Sequence, residues 1–412
     1  MQVVVGHTVW PVVGEPVLGG AVAVEGGVIR AVGKAAEVVG RYEGADQVDL
    51  SDCVILSGLV NAHTHLELSS LRGRVAYRGS FVDWIGRLAM ARRQYQGDLG
   101  EVIAGACRES VAGGVTTVGD ICLKHRAWRF LAGERIRKVC FAEVFGLTGA
   151  VEAGRAYLEG CVGETEEGRL LRVGISPHGP YSTGRGVYEM AAALAAGEGV
   201  ALTTHLAETM EEVQFLADGG GGWGEYLRSI HKWDGRYVAP GRRPVAYFLD
   251  MELSGQAFLL AHVNYVSDEE LAALAGSGHS VAYCPRSHAF FGHAGHRWRE
   301  MLAAGVNVCV GTDSLASNES LSILDELRFL YTRYPDVDPA TLLEMGTING
   351  ARALGWEERI GSLEAGKEAD LIAVGLSDAG RGMDAAGALR DVLAGSAGVR
   401  LTMVGGEVVY RG

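Results

Sequence analysis

The chain has 412 residues, 48% of them hydrophobic and 21% charged, with a formal net charge of −13. This composition excludes an intrinsically disordered chain, and the negative charge argues against a nucleic-acid backbone or an anionic membrane surface as the main partner. No apolar run approaches the roughly 18 residues that suggest a membrane span, and the segment Met1 to His7 lacks a basic stretch followed by an apolar core, so a cytoplasmic protein without a secretory signal is expected.

Residues 1–55 read as short strands, among them Val3-Val4-Val5, Ala21 to Val24 and Val28 to Val32, separated by turns such as Gly26-Gly27. They show no long helical pattern. The last residues, from about 356 to 412, look similar, with strand-like Ala369 to Val374 and Val399 to Val404, then Gly405-Gly406 leading to Glu407 to Tyr410. Two β-rich ends around a different middle predict one small β domain, a sandwich built from both termini. The seven cysteines are widely spaced, with no Cys-x-x-Cys pair, and read as reduced core residues rather than thiolate ligands.

Residues 56–355 alternate strands with helical patterns. Val54 to Leu59 is a run of apolar and small residues, as in a buried parallel strand, and it leads into Asn61-Ala62-His63-Thr64-His65. On an extended backbone residues i and i+2 share a side, so His63 and His65 can aim at one point. Such pairs also occur as ordinary loop histidines. Helix-like segments follow at Phe81 to Arg93 and Glu101 to Ala112, then strands at Val115 to Ile121 and Arg137 to Val144. A helix is expected from about Ala150 to Glu166. Strands at Leu171 to His178, Val200 to His205, Phe258 to His262, Ser280 to Cys284 and Val306 to Asp313 complete the series. Eight strands alternating with helices predict an α/β fold, a (β/α)8 TIM-like barrel. A doubly wound open sheet or two closed sheets fit the pattern alone.

The polar residues fall at the strand ends: His63, His65, His178, His205, His262 and Asp313. In a barrel those ends meet at one mouth, where active sites are built. His63, His65, His205 and Asp313 are the right type and number of ligands for one divalent ion, Zn²⁺ first and Fe²⁺ second, with a position left for water. Such an ion makes hydroxide available near neutral pH, and Asp313 can accept the water's proton. Glu208 lies three residues past His205, near enough to carry a proton to a ring nitrogen and a leaving amine. The plain alternative for Glu208 is a solvated residue at a helix start. His262 can hydrogen-bond the oxygen of a tetrahedral intermediate.

On these segments the chain resembles the amidohydrolase superfamily, in the branch of metal-dependent aminohydrolases. That branch includes S-adenosylhomocysteine, methylthioadenosine and aminodeoxyfutalosine deaminases and triazine chlorohydrolases. The matching stretches are Gly58 to His65, Ser176 to Tyr181, His205 to Glu208, Ala261-His262, Gly311 to Ser314, and Ile360 to Leu371 on the return into the β domain. The resemblance implies that His63, His65, His205 and Asp313 hold one metal, that Glu208 and His262 are the catalytic pair, and that His178 faces the substrate. No lysine at a strand end suggests a two-metal bridge; Lys124 follows a strand-like run, but Cys122 and Leu123 intervene.

After the seventh strand comes Cys284-Pro285-Arg286-Ser287-His288-Ala289-Phe290-Phe291. Relatives acting on S-adenosylhomocysteine usually have Ser-Asn where this chain has Ser287-His288, which points toward the aminodeoxyfutalosine side. Phe290 and Phe291 can stack on a flat heterocycle and His288 can hydrogen-bond it, while core packing is the commoner fate of such aromatics. Trp84 either walls the pocket or packs on a helix face. Thr209 to Pro244 is long for a strand connection and is either a cover over the mouth or an outer subdomain. The reading is a hydrolase that deaminates an amino-substituted heterocycle, with a small-molecule substrate and a homo-oligomer as one outcome. The rivals are hydrolysis of chloride or an alkylamine from a triazine, and a non-catalytic scaffold of the same fold.

Overall fold

Eight parallel strands carry the middle of the chain in the computed structural model, which describes residues 1–122, 127–163, 168–230, 235–251, 253 and 255–412. They are β1 (Leu59–Thr64), β2 (Val115–Cys122), β3 (Arg137–Val144), β4 (Leu171–Pro177), β5 (Ala201–Leu206), β6 (Phe258–His262), β7 (Ser280–Tyr283) and β8 (Asn307–Val310). Each pairs with its sequence neighbour, giving the order β8 to β1 across one sheet. The ring closes where the chemistry lies: Thr64 bridges Asp313, and the backbone N–H groups of Thr312 and Asp313 both donate to the carbonyl of His63, at 3.1 Å each. This is the expected TIM-like barrel.

The strands are largely apolar because both faces are covered, and their polar residues, such as Asp120 in β2 and Arg137, Lys138 and Glu143 in β3, are buried too. All eight residues of β2 and of β3 are buried. Inside the barrel, Val60, Ala62, Ile121, Phe141, Leu259 and Cys309 pack with Trp356. At the β8–β1 seam only glycine fits at Gly311, because a Cβ there would come within 2.8 Å of the His63 carbonyl oxygen.

Local capping chemistry marks the helices around the barrel. Ser80 caps Phe81–Gln94, Asp98 caps Leu99–Ala112, and Ser267 and Glu270 form a capping box on Asp268–Ala275. The helix expected over Ala150 to Glu166 runs Val151–Gly163, and residues 164–167 lie outside the described residues. Lys124 lies outside them too. Among its described residues the long connection after β5 holds three helices, Met210–Asp218, Gly221–Ser229 and Pro244–Leu249. Among the described residues no helix is long and apolar enough to cross a membrane.

Both ends of the chain contribute to a second, mixed sheet of eight strands. Gln2–Trp10 runs parallel to Asp46–Ser57, which pairs antiparallel with Leu371–Gly375. Val4, Val22, Ile55, Leu371 and Leu401 form its core. Two helices interrupt the β-rich ends, Ala35–Arg41 and Ala385–Ala394. The second has a simple physical basis that its alanines and glycine hide in the sequence. Asp384 caps it, and Ala388, Leu389, Val392 and Leu393 are buried against the barrel's outer core. Arg137, at the start of β3, joins the two units through a buried bidentate pair with Asp370 and a bond to Glu368.

Candidate active site and metal centre

His63 lies at the centre of the mouth. Its ring centroid is 5.1 Å from that of His65, 4.9 Å from His205 and 5.2 Å from His262. Both of its ring nitrogens are buried without a hydrogen-bond partner. Native interiors rarely leave such atoms unpaired, so the two nitrogens fit a residue that binds a ligand. Thr203 and His205 occupy alternate positions on β5. His205 Nδ1 donates to the carbonyl of His178 at 2.9 Å, so its Nε2 carries the lone pair, 3.3 Å from His65 Nε2. A ligating imidazole commonly has its far nitrogen fixed in this way.

Asp313 follows β8 with a left-handed φ of 57°. Its Oδ2 accepts hydrogen bonds from Ser287 (2.8 Å) and Ser317 (2.7 Å). Oδ1 therefore remains for the histidines, 3.6 Å from His65 Nε2 and 4.0 Å from His63 Nε2. The donor atoms of His63, His65 and Asp313 lie within 4.8 Å of one another, as do those of His63, His205 and His262. Borderline imidazole nitrogens with one hard carboxylate form a set that suits a divalent ion. Burial holds His63 well below its ordinary pKa, with the other imidazoles adding to the effect, and brings His65 down to about 4 despite Asp313. Neutral imidazoles are the ligating form.

Glu208 and His262 face each other from β5 and β6, with Oε1 and Nε2 3.5 Å apart and not hydrogen-bonded. Burial pushes Glu208 well above the usual carboxyl range, reinforced by the Asp313 and Glu212 charges. His262 is lowered to about 3, chiefly by burial. Burial thus favours the protonated carboxyl of Glu208 and the neutral imidazole of His262. Three contacts that the sequence did not announce orient it. Tyr181 donates to its Oε2 at 3.3 Å, Glu212 accepts the backbone N–H groups of Ala207 and Glu208, and Asn264 donates to its carbonyl. Tyr181 lies within a recognised motif and Glu212 four residues beyond Glu208, so motif and spacing were the available signals. Trp223, from the long connection after β5, stacks on Tyr181 at 4.3 Å and closes this side.

His178 joins the group from the end of β4. Its ring is 5.0 Å from His205, Nδ1 meets Ser182 Oγ at 2.6 Å, and Nε2 lies 3.9 Å from the buried carboxyl of Glu143. The other residues named for substrate lie further round. Trp84 is buried with its indole N–H donated to the Val75 carbonyl, and its ring packs 4.9 Å from Phe291 and 6.3 Å from the half-exposed Phe290. His288 is buried beside Tyr283, His293 and His296, with Nε2 unpartnered. The fold thus gathers His63, His65, His178, His205, Glu208, His262 and Asp313 into one cluster, and packs Trp84 and Phe290 into a separate aromatic cluster with Phe291.

The model of the amidohydrolase family matches residues 54–409. The chain belongs to the amidohydrolase family. Among amidohydrolase relatives, the 5-methylthioadenosine/S-adenosylhomocysteine deaminase of Moorella thermoacetica is 34% identical over 89% of this chain and 84% of its own length. The aminodeoxyfutalosine deaminase of Deinococcus radiodurans is 30% identical over 82% of this chain and 81% of its own. A crystal structure of an adenosine deaminase from Xanthomonas campestris with bound zinc superposes with a TM-score of 0.84 at 25% identity, covering 99% of this chain and 92% of that one. The family and the mouth's donor set together indicate a hydrolase that works with a divalent metal.

Proposed function

We propose that this amidohydrolase deaminates a 6-aminopurine nucleoside with a bulky 5′ group, using one divalent ion held by His63, His65, His205 and Asp313. Zinc is the first choice of ion and iron(II) the second. One observation carries the reading: Glu208, whose carboxyl burial pushes well above the usual range, stands 3.5 Å from His262 beside a cluster of imidazoles in which both ring nitrogens of His63 and Nε2 of His262 have no protein partner. When bound, the ion supplies hydroxide from water near neutral pH.

The chain's own groups do the rest. Asp313 Oδ1 takes the proton lost by the attacking water. Glu208 delivers its proton to the ring nitrogen beside the attacked carbon, Asp313 passes the proton it took from water to the departing amino group, which leaves as ammonia, and the new hydroxyl returns its proton to Glu208 as the carbonyl forms. His262 Nε2 holds the new oxygen of the tetrahedral carbon. His178 and His288 offer hydrogen bonds to ring or ribose edges, and Trp84 and Phe290 offer flat apolar faces. The names of the relatives support a nucleoside substrate. Ser287-His288 favours aminodeoxyfutalosine first and S-adenosylhomocysteine or methylthioadenosine second. The protein acts in the cytoplasm on a small molecule.

Ammonia release is to be measured with these three compounds, with free adenine, guanine and cytosine, and with a chlorotriazine, alongside elemental analysis of the purified protein. A 5′-substituted nucleoside should be the best substrate, because remote contacts raise turnover. Turnover of only a free base or the chlorotriazine would overturn the substrate. Full activity without a transition metal would overturn the mechanism.

A further inference from the structure

The backbone that presents His262 is strained. His262 has φ 74° and the next residue, Val263, has φ 52°. Two successive L residues in the left-handed region, one of them β-branched, persist only where the surroundings hold them. Part of the hold comes from the β5 side. The Val263 N–H donates to the Leu206 carbonyl at 2.9 Å, and the Tyr265 N–H to that of Ala207 at 3.2 Å. On the other side the ladder between β6 and β7 ends at Ala261.

Beyond that ladder, the His262 carbonyl accepts a hydrogen bond from Nε2 of His296, at 2.8 Å across 34 residues of chain. A carbonyl oxygen only accepts, so the proton of this imidazole is on Nε2 and its Nδ1 carries the lone pair. The ring is buried, stacks on Tyr283 with centroids 3.9 Å apart and planes 20° apart, and meets the edge of His288 at 5.8 Å. Tyr283 is the last residue of β7. His296 is therefore clamped from β7 and reaches back to the last residue of β6.

We propose that His296 is a positioning residue: its Nε2–H fixes the carbonyl of His262 and so holds the left-handed turn that aims the His262 imidazole at Glu208. The proposal rests on the reading of His262 as a catalytic group. A histidine that merely fills the core would serve through its ring alone, so the two roles separate by substitution. His296→Phe keeps a flat ring against Tyr283 and removes the donor. His296→Gln loses the ring and can return an N–H to the same carbonyl.

For each variant, kcat and KM are measured with the compound that the unaltered enzyme turns over fastest, with metal content and a crystal structure of each protein. The Phe variant should lose about 10- to 100-fold in kcat, the scale of a misplaced catalytic group. Its KM and metal content should stay the same, and residues 262–263 should leave the left-handed region. The Gln variant should keep that turn and recover most of kcat. Unchanged kcat in the Phe variant, a retained turn at 262–263, or an equal loss in both variants would overturn the proposal. If the Phe variant does not fold, His296→Leu takes its place under the same outcomes. If the unaltered protein turned over none of the compounds, the proposed function would fail, while the backbone at 262–263 would still decide this inference.

Discussion

Ser287 donates to Oδ2 of Asp313 at 2.8 Å and thereby decides which oxygen of that carboxylate is left for His65. The hydroxyl of Ser317 meets the same Oδ2, so Asp313 is gripped twice on one side and open on the other. Outer contacts of this kind typically carry 10- to 100-fold in metal affinity. Ser287→Ala should weaken retention of the divalent ion by about that factor in competition with a chelator. Thermal stability should fall by only about 1–2 kcal/mol, since the side chain's contacts are those to Asp313 and, at 3.0 Å, to Ser317 Oγ. Unchanged retention would show that Ser317 alone sets the carboxylate.

Glu208→Gln tests proton transfer separately from binding. The amide keeps the shape, and Glu208 is not among the proposed ligands, so metal content should be unchanged. Turnover should fall by roughly 10² to 10⁴, the usual contribution of a positioned acid or base. Loss of metal in this variant would instead assign Glu208 to the ligand set.

The stability of the fold should depend on pH through His279, far from the mouth. Its Nδ1 accepts the backbone N–H of Phe258 at 3.1 Å, so protonation there breaks a hydrogen bond at the start of β6. Burial lowers its pKa from 6.5 to about 4. The unfolded chain therefore binds the proton more readily than the folded one between these values. The stability contribution is present above the ordinary pKa of 6.5 and is lost as pH falls toward about 4. His279→Asn keeps an acceptor and cannot titrate. Its melting temperature should fall less steeply than the unaltered protein's between these limits, and parallel curves would exclude His279 as a source of the acid sensitivity.

Arg137 should be indispensable to the joint between the barrel and the terminal sheet. Its guanidinium is fully buried, with two bonds to Asp370 at 2.9 Å each and one to Glu368 at 2.8 Å. Arg137→Leu leaves Asp370 buried without its cation. Breaking such a pair costs about 3–5 kcal/mol, to be read as a lower urea midpoint. A midpoint within error of the unaltered protein's would mean that Arg169 and Arg359, which also contact Glu368, carry the joint.

Much of the site was legible in the chain itself, because its signals are local. A short apolar run ending in His63-Thr64-His65, and histidines or aspartate at the ends of later runs, follow from the period of a strand and from the rule that barrel strand ends share one mouth. Capping residues such as Ser80 and Asp98 likewise act within a few residues of their own position. The helices Ala35–Arg41 and Ala385–Ala394 leave no clear pattern in the sequence because each is short and is stabilised mainly by the face it buries. Only the folded chain decided which oxygen of Asp313 points inward, that burial pushes the Glu208 carboxyl well above its usual range, and that His262 takes a left-handed turn held by His296. Those properties depend on partners brought together by packing, 26 residues apart for Ser287 and Asp313 and 34 for His296 and His262. Burial, hydrogen-bond geometry and backbone strain are properties of that packing, and no local pattern of residues encodes them.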